Sequence, residues 1–389
     1  MNPSITIGFL PRERFLLAAE SLASLYEHTT LPFDLVVVDA ATPKRYLDEV
    51  QAVLDGHDNW SMISVDRPLL PAESKNLVVR EARTDYVCLL ENDNLFNDGW
   101  LEALLDACES GPADVAAPLI REGRGADGHF DRHLGSVVPS TERPGLWEVT
   151  PLTRPREATA HTERVEFVEQ HCLLFRRSVF DRIGAYDEEL NTRDEVDLSM
   201  ALRAADARVV LEPRAVVNYV PPTAPPEADE LPFYRNRWDL ERAIISRERI
   251  RERWSLVDTP GDLEFVRYRN LIPELPTVRG ILAEMVDAGR SVVLIDDGDW
   301  FDTEVTDGIA LTPFPDAEGH FGGFPETEAA ALAELNRVLG EGATDIVVGW
   351  PARWWFEYLP GLEQALVAGS ASMRTDGLLD VYRMAEPTP

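Results

Sequence analysis

The segment Leu35-Val36-Val37-Val38-Asp39 constrains the fold more than any other, because its unbroken apolar run ends on a carboxylate. A strand with one wet face alternates polar and apolar residues. A continuous run needs cover on both faces, as in a parallel sheet flanked by helices. The same signature recurs along the first half of the chain. Ile5-Thr6-Ile7-Gly8-Phe9 reads as a first strand, Met62-Ile63-Ser64-Val65 as a third, and Tyr86-Val87-Cys88-Leu89-Leu90 as a fourth that runs into Glu91-Asn92-Asp93-Asn94. Between them, Leu16, Leu17, Ala19, Leu22 and Leu25 follow helical spacings of three and four, and residues 76–82 read as a helix. Repeated βα units predict an α/β fold with a mostly parallel sheet and right-handed crossovers.

Residues 121–162 break this rhythm. They are rich in Gly, Pro, Arg and Thr without a clear period, and read as one long loop. Order returns with strands at Val165-Glu166-Phe167-Val168 and Cys172-Leu173-Leu174-Phe175, a helix near 177–183, and two short strands, Val209-Val210-Leu211 and Val216-Val217. Residues 221–227 hold four prolines and read as a stiff linker, followed by one polar helix over about 234–254. A second α/β pattern then begins. It has strands at 291–297, 345–348 and 379–382, with an Ala/Leu-rich helix over 326–339. At 389 residues the chain exceeds one ordinary core. The expected division is an α/β domain over 1–220, a Pro-rich linker and helix over 221–260, and a smaller α/β domain over 261–389.

Charge narrows the partners. With 37 basic and 69 acidic residues the net charge is −32, a field that repels polyanions, so no nucleic acid partner is expected. A small phosphate ligand is still compatible, because a bound cation or backbone N–H groups invert the field locally. No run approaches the ~18–20 apolar residues of a membrane span. The first residues carry no basic and apolar leader pattern, and the three cysteines have no disulfide or zinc spacing. These features predict a cytoplasmic location.

Carboxylates at the ends of parallel strands are the first chemical signal, since ligands of open α/β sheets bind outside those ends. Asp39 ends one strand; Glu91 and Asp93, two apart, end another. Paired carboxylate oxygens there suit Mg²⁺ or Mn²⁺, against the plainer reading of a solvated acidic turn. The second signal is Asn191-Thr192-Arg193-Asp194-Glu195-Val196-Asp197 at the start of a helical pattern. Asn191 or Thr192 would cap the helix, and Asp194 or Glu195 would serve as general base at a cleft. His129 and His133 stand four apart without further ligands nearby, Asp296, Asp297 and Asp299 read as a turn, and Trp354, Trp355 and Phe356 read as core. No P-loop, G-x-G-x-x-G or G-x-S-x-G is present, which argues against nucleotide hydrolases, dinucleotide oxidoreductases and α/β-hydrolases.

In their order and spacing these pieces resemble a family 2 glycosyltransferase of GT-A fold over about 4–220. The resemblance is carried by the first strand leading into Pro11-Arg12-Glu13-Arg14, by Val36-Val37-Val38-Asp39, and by Ala72-Glu73-Ser74-Lys75-Asn76. It continues with Glu91-Asn92-Asp93-Asn94 before Gly99-Trp100-Leu101, similar to a D-x-D segment, and with Ile183-Gly184-Ala185-Tyr186-Asp187-Glu188 leading to the acid pair. The portion after 261 resembles an accessory domain of bacterial sugar-transfer proteins in its Asp296-Asp297-Gly298-Asp299-Trp300 and Trp350-Pro351-Ala352-Arg353-Trp354-Trp355 segments.

The resemblance implies sugar transfer, with inversion, from a UDP- or GDP-type nucleotide diphosphate donor to a carbohydrate or other hydroxyl acceptor. It implies donor contacts from Pro11, Arg12, Glu13, Arg14, Asp39, Lys75, Asn76 and Asn92, a Mn²⁺ or Mg²⁺ ion at Glu91 and Asp93, and proton removal by Asp194 or Glu195. It leaves room for a homo-oligomer. The sequence departs from the family pattern in several places. Glu91 stands where Asp is usual, Ala201 and Asp206 where Arg and Gly are frequent, Asn218-Tyr219 where many members have a metal-binding His, and Asp194-Glu195 where Glu-Asp is usual. These departures admit a weakly active or inactive GT-A-like scaffold as the alternative.

Overall fold

The computed structural model describes residues 4–125, 130–132, 134–151, 161–168, 170–221, 225–257, 263–375 and 377–385. The chain divides into two compact units, Met1–Asn270 and Leu271–Pro389.

In the first unit, β1 (Ile5–Leu10), β2 (Asp34–Ala40), β3 (Trp60–Val65) and β4 (Tyr86–Glu91) alternate with α1 (Ala18–His28), α2 (Lys44–Leu54) and α3 (Pro71–Glu81). These four strands are parallel neighbours in the order β3-β2-β1-β4. Each apolar run feeds two cores at once. Ile5, Ile7, Phe9, Val37, Cys88 and Leu90 pack on one face, and Leu10, Val36, Val38, Val87 and Leu89 on the other. Close packing sets one glycine: a Cβ on Gly8 would lie 2.6 Å from a Val78 methyl, so α3 approaches β1 only because nothing projects there.

The chain continues through β5 (Asn94–Phe96), α4 (Trp100–Glu109) and β6 (Val115–Glu122). Within the stretch read as loop, β7 (Phe130–Arg132) pairs with β6, and β8 (Leu134–Pro139) pairs with β9 (Trp147–Pro151). The loop expectation is corrected here. Hairpin pairing of β8 and β9 satisfies the backbone, so the segment needs no apolar period. His129 and His133 lie outside the described residues. After β10 (Glu163–Arg164) and β11 (Phe167–Val168), β12 (Cys172–Arg176) inserts antiparallel between β4 and β6. Then come α5 (Phe180–Ile183), α6 (Asp194–Ala204) and β13 (Val209–Tyr219). The last is one strand, with an irregularity between Glu212 and Val216, where the sequence suggested two. The large sheet thus runs β10-β13-β6-β12-β4-β1-β2-β3. The sheet is mostly parallel, as expected, with β12 and the short β10 reversed along this order.

The expected single helix over 234–254 is instead α7 (Leu231–Arg237) and α8 (Leu240–Trp254). Asp239 caps the second, its carboxylate accepting from Arg242 N at 2.8 Å, which favours a fresh start over continuation. Helix α9 (Glu264–Leu271) runs up to the division.

The second unit is a smaller α/β domain. Its sheet orders β14 (Val292–Ile295), β15 (Thr312–Pro313), β18 (Asp345–Gly349), β19 (Ser370–Thr375) and β20 (Leu379–Met384) as β15-β14-β18-β20-β19, beside the β16 (Asp316–Ala317) and β17 (His320–Phe321) hairpin. Asp296 behaves as the turn reading expects, its carboxylate accepting backbone N–H groups of Gly298, Trp300 and Phe301. Trp355 is core, with no exposed surface, but Trp354 is 39% exposed, which corrects the core expectation for that ring. All three cysteines are free and buried.

Candidate active site

The site lies at the carboxyl ends of β1, β2 and β4. Asp39, near the end of β2, lines a small cleft with Phe9, Pro11, Ala18, Val37 and Asn92. One of its oxygens accepts from Thr42 N at 3.0 Å. Glu91 and Asp93 do not line this cleft; they flank Asn92, which does. Asn92 ties the turn after β1 to the end of β4: its oxygen accepts from Arg12 N at 3.2 Å and its amide donates to the Arg14 carbonyl at 2.8 Å.

Glu91 and Asp93 are buried, and the structure adds a residue that the sequence reading missed, His171. One ligand atom from each of the three lies within 4.8 Å of the others. Strand pairing explains the placement. β12 runs against β4 with Cys172 opposite Leu90, so the preceding residue falls opposite Glu91, whose N–H donates to the His171 carbonyl at 3.0 Å. Nothing in the spacing of a lone His signals this; only the reversed strand brings it in. Asn218, where many family members carry His, is committed elsewhere, pairing with Asn97 and donating to the carbonyls of Gly123 and Gly125.

Arg12 enters the same cluster. Its Nη1 lies 2.8 Å from Glu91 Oε2 and 3.6 Å from Asp93 Oδ2, and contacts His171 Nδ1 at 2.5 Å. Its guanidinium lies 4.9 Å from the centre of the Tyr219 ring, on which His171 also packs. Burial works against the charge on Glu91, but Arg12, His171 and Lys75 hold its carboxyl well below the usual range. Burial pushes Asp93 up to about 6, opposed by Arg12 and reinforced by the like charge of Glu91. Asp93 Oδ1 is buried without a hydrogen-bond partner. Two carboxylates and an imidazole, with one acceptor oxygen unsatisfied, fit a divalent cation.

Asp194 opens α6 and is buried, with Lys75 Nζ 2.5 Å from its Oδ2. Burial raises the Tyr186 hydroxyl far above its ordinary value, and the charges of Asp194 and Glu91 add to the effect. Lys75 Nζ lies 5.5 Å from the centre of the Tyr186 ring. Glu195 is half-buried beside Asp194. Neither Asn191 nor Thr192 caps α6, which corrects that expectation. The capping position is Arg193, at φ 61°, while Asn191 holds the carbonyls of Arg237 and Asp239. Asn76 sits to the side, its amide group bonded to the Tyr186 backbone and to Glu188. Arg14 forms a buried pair with Glu230 at 2.8 Å, and Arg269 lies 3.5 Å from Glu13, whose charge acts on both Arg12 and Asp93.

Residues 13–184 match the family described as Glycosyl transferase family 2. Over that span the chain is similar to the family 2 glycosyltransferases. The chain is 28% identical over 153 residues to a pre-mycofactocin glycosyltransferase of Mycobacterium tuberculosis, covering 38% of this chain and 30% of that protein. It is 32% identical over 141 residues to an N-acetylglucosaminyl-diphospho-decaprenol L-rhamnosyltransferase of the same organism, covering 34% and 46%. The matches thus span less than half the length of these relatives. Among solved structures, GalNAc-T7 with UDP, GalNAc and Mn²⁺ superposes with a TM-score of 0.45 at 16% identity, covering 69% of this chain and 58% of that one. No helix among the described residues is long and apolar enough to cross a membrane.

Proposed function

We propose that the protein is a metal-dependent, inverting glycosyltransferase that moves a sugar from a UDP- or GDP-type donor to an acceptor hydroxyl. The observation that carries the reading is the buried Glu91, Asp93 and His171 triad beside a cleft lined by Asp39. The family match and the relatives named as glycosyltransferases support it.

Asp39 accepts hydrogen bonds from the nucleoside, and the turn from Pro11 to Arg14, fixed by Asn92, walls the cleft around it. Glu91, Asp93 and His171 hold Mn²⁺ or Mg²⁺, with the imidazole favouring Mn²⁺. Bound there, the ion supplies positive charge against the diphosphate as the glycosidic bond breaks. Asp194, steadied by Lys75, takes the acceptor's proton; the hydroxyl oxygen then bonds to the anomeric carbon from the face opposite the leaving diphosphate, which inverts the configuration. Glu195 is the alternative base on the same helix. Thermal unfolding with UDP, GDP and their sugars, with and without Mn²⁺, tests the donor site. A metal-dependent rise is expected, and no shift with any nucleotide under any metal condition would remove the reading.

One observation favours a second reading, a GT-A-like binding protein without turnover: Arg12 Nη1 stands among the ligand atoms. Slow donor hydrolysis across a nucleotide-sugar panel, present for an enzyme and absent for a scaffold, separates the two.

A further inference from the structure

The position of Arg12 is hard to reconcile with a merely structural role. Its Nη1 is within 2.5–3.6 Å of atoms on all three triad residues, and those residues' ligand atoms lie no more than 4.8 Å apart. A divalent ion such as Mg²⁺ needs its ligands at about 2.1 Å, so it would occupy the same space as Nη1. The two cations exclude each other. The guanidinium is also incompletely satisfied, because its Nε is buried with no hydrogen-bond partner. The Arg12 backbone N–H is held by Asn92, which itself lines the Asp39 cleft. A modest swing of this side chain would carry it from the acids toward a diphosphate at the mouth of the cleft, where a planar guanidinium makes paired, charge-assisted hydrogen bonds.

We propose that Arg12 is an internal cation that holds the triad closed to metal and is exchanged for the divalent ion when a nucleoside diphosphate draws it away. The inference rests on the reading of Glu91, Asp93 and His171 as the metal site. Under this exchange, metal and nucleotide bind cooperatively because each removes a competitor of the other. Metal alone binds weakly, since it must first break a buried pair. Tyr219, whose ring supports both the guanidinium and His171, acts as the seat of the closed arrangement.

The experiment measures Mn²⁺ binding to the full chain by electron paramagnetic resonance of free Mn²⁺, first without nucleotide and then with UDP or GDP. Arg12→Ala should tighten Mn²⁺ alone by about tenfold or more, and nucleotide should then add less further tightening than in the wild type. Should Arg12→Ala fold poorly by circular dichroism, Tyr219→Leu provides the second test, since loosening the guanidinium should shift Mn²⁺ affinity in the same direction. Unchanged or weaker Mn²⁺ binding in the folded variants, with Asp93→Asn abolishing binding, would overturn the exchange and leave the metal site standing. No Mn²⁺ binding by wild type or variants, even with nucleotide, would remove the metal site and the exchange together.

Discussion

Asp93→Asn should make the metal-free protein more stable at neutral pH while removing its capacity for metal. The Asp93 carboxyl has an ordinary value of 3.8 and is pushed up to about 6 in the folded chain. Below pH 3.8 it is protonated both folded and unfolded, and contributes nothing to pH dependence. As pH rises from 3.8 to about 6, the unfolded chain ionises first and the folded chain resists, so stability falls across that window and stays low above it. At about 1.36 kcal/mol per pH unit, that displacement makes the charged form cost on the order of 1–3 kcal/mol at pH 7. Asparagine mimics the neutral acid and avoids this cost. Urea unfolding in EDTA should therefore show the variant more stable at pH 7, by on the order of 1–3 kcal/mol, with the gap closing by pH 4. Saturating Mn²⁺ should stabilise only the wild type, by about 2.7 kcal/mol at one hundred times the dissociation constant. A variant less stable than wild type at pH 7 in EDTA would refute the reasoning, because it would mean that the charged form is favoured where it lies.

Other perturbations separate the parts of the site. Lys75→Met leaves Asp194 buried without its cation and should cost about 3–5 kcal/mol; adding Asp194→Asn should recover much of that in urea unfolding, and no recovery would show that the pair is not the source. Asp39→Asn keeps an acceptor for Thr42 N but removes the charge, so calorimetry should show nucleotide affinity falling about tenfold with Mn²⁺ binding unchanged; a parallel loss of Mn²⁺ would place Asp39 in the wrong role. Gly8→Ala drives a methyl against Val78, 2.6 Å away, and should cost about 1–3 kcal/mol; Val78→Ala in the same chain should relieve part of it, and additive losses would argue against the contact.

Half of the site was legible because it depends on strand ends. An apolar run buried on both faces, such as Val36 to Val38, must stop where water begins, and the residue that stops it lies at a ligand-binding edge. Asp39, Glu91 and Asp93 follow from that rule. His171 does not, because its place depends on β12 reversing direction between β4 and β6, a long-range pairing with no local periodicity. The approach of Arg12 to the acids was similarly hidden. A turn residue's side-chain direction is set by Asn92 and Tyr219, far away in the chain. Elsewhere the misreadings are backbone matters. The β8–β9 hairpin hides in residues with weak strand patterning, and the break between α7 and α8 rests on one capping aspartate at 239.

Charges buried beside one another are poor material for stability, since an apolar wall of the same volume is often as stable or more so. This chain builds such a wall nearby, where Phe15 packs on Tyr46 and Phe233. Yet Arg12 with Glu91, and Lys75 with Asp194, are buried around the carboxyl ends of β1 and β4. At the opposite ends of the same strands the corresponding pairs are a neutral Thr6–Thr84 contact and an exposed Ser4–Asp85 contact. The asymmetry points to a ligand as the reason for the charges. A chain of net charge −32 repels anions from most of its surface. Of its only two lysines, Lys44 is exposed on α2 and Lys75 is committed to this cluster. Placing cations beside acids that can take a metal or a proton is what the proposed pair of substrates, a diphosphate donor and a hydroxyl acceptor, would require.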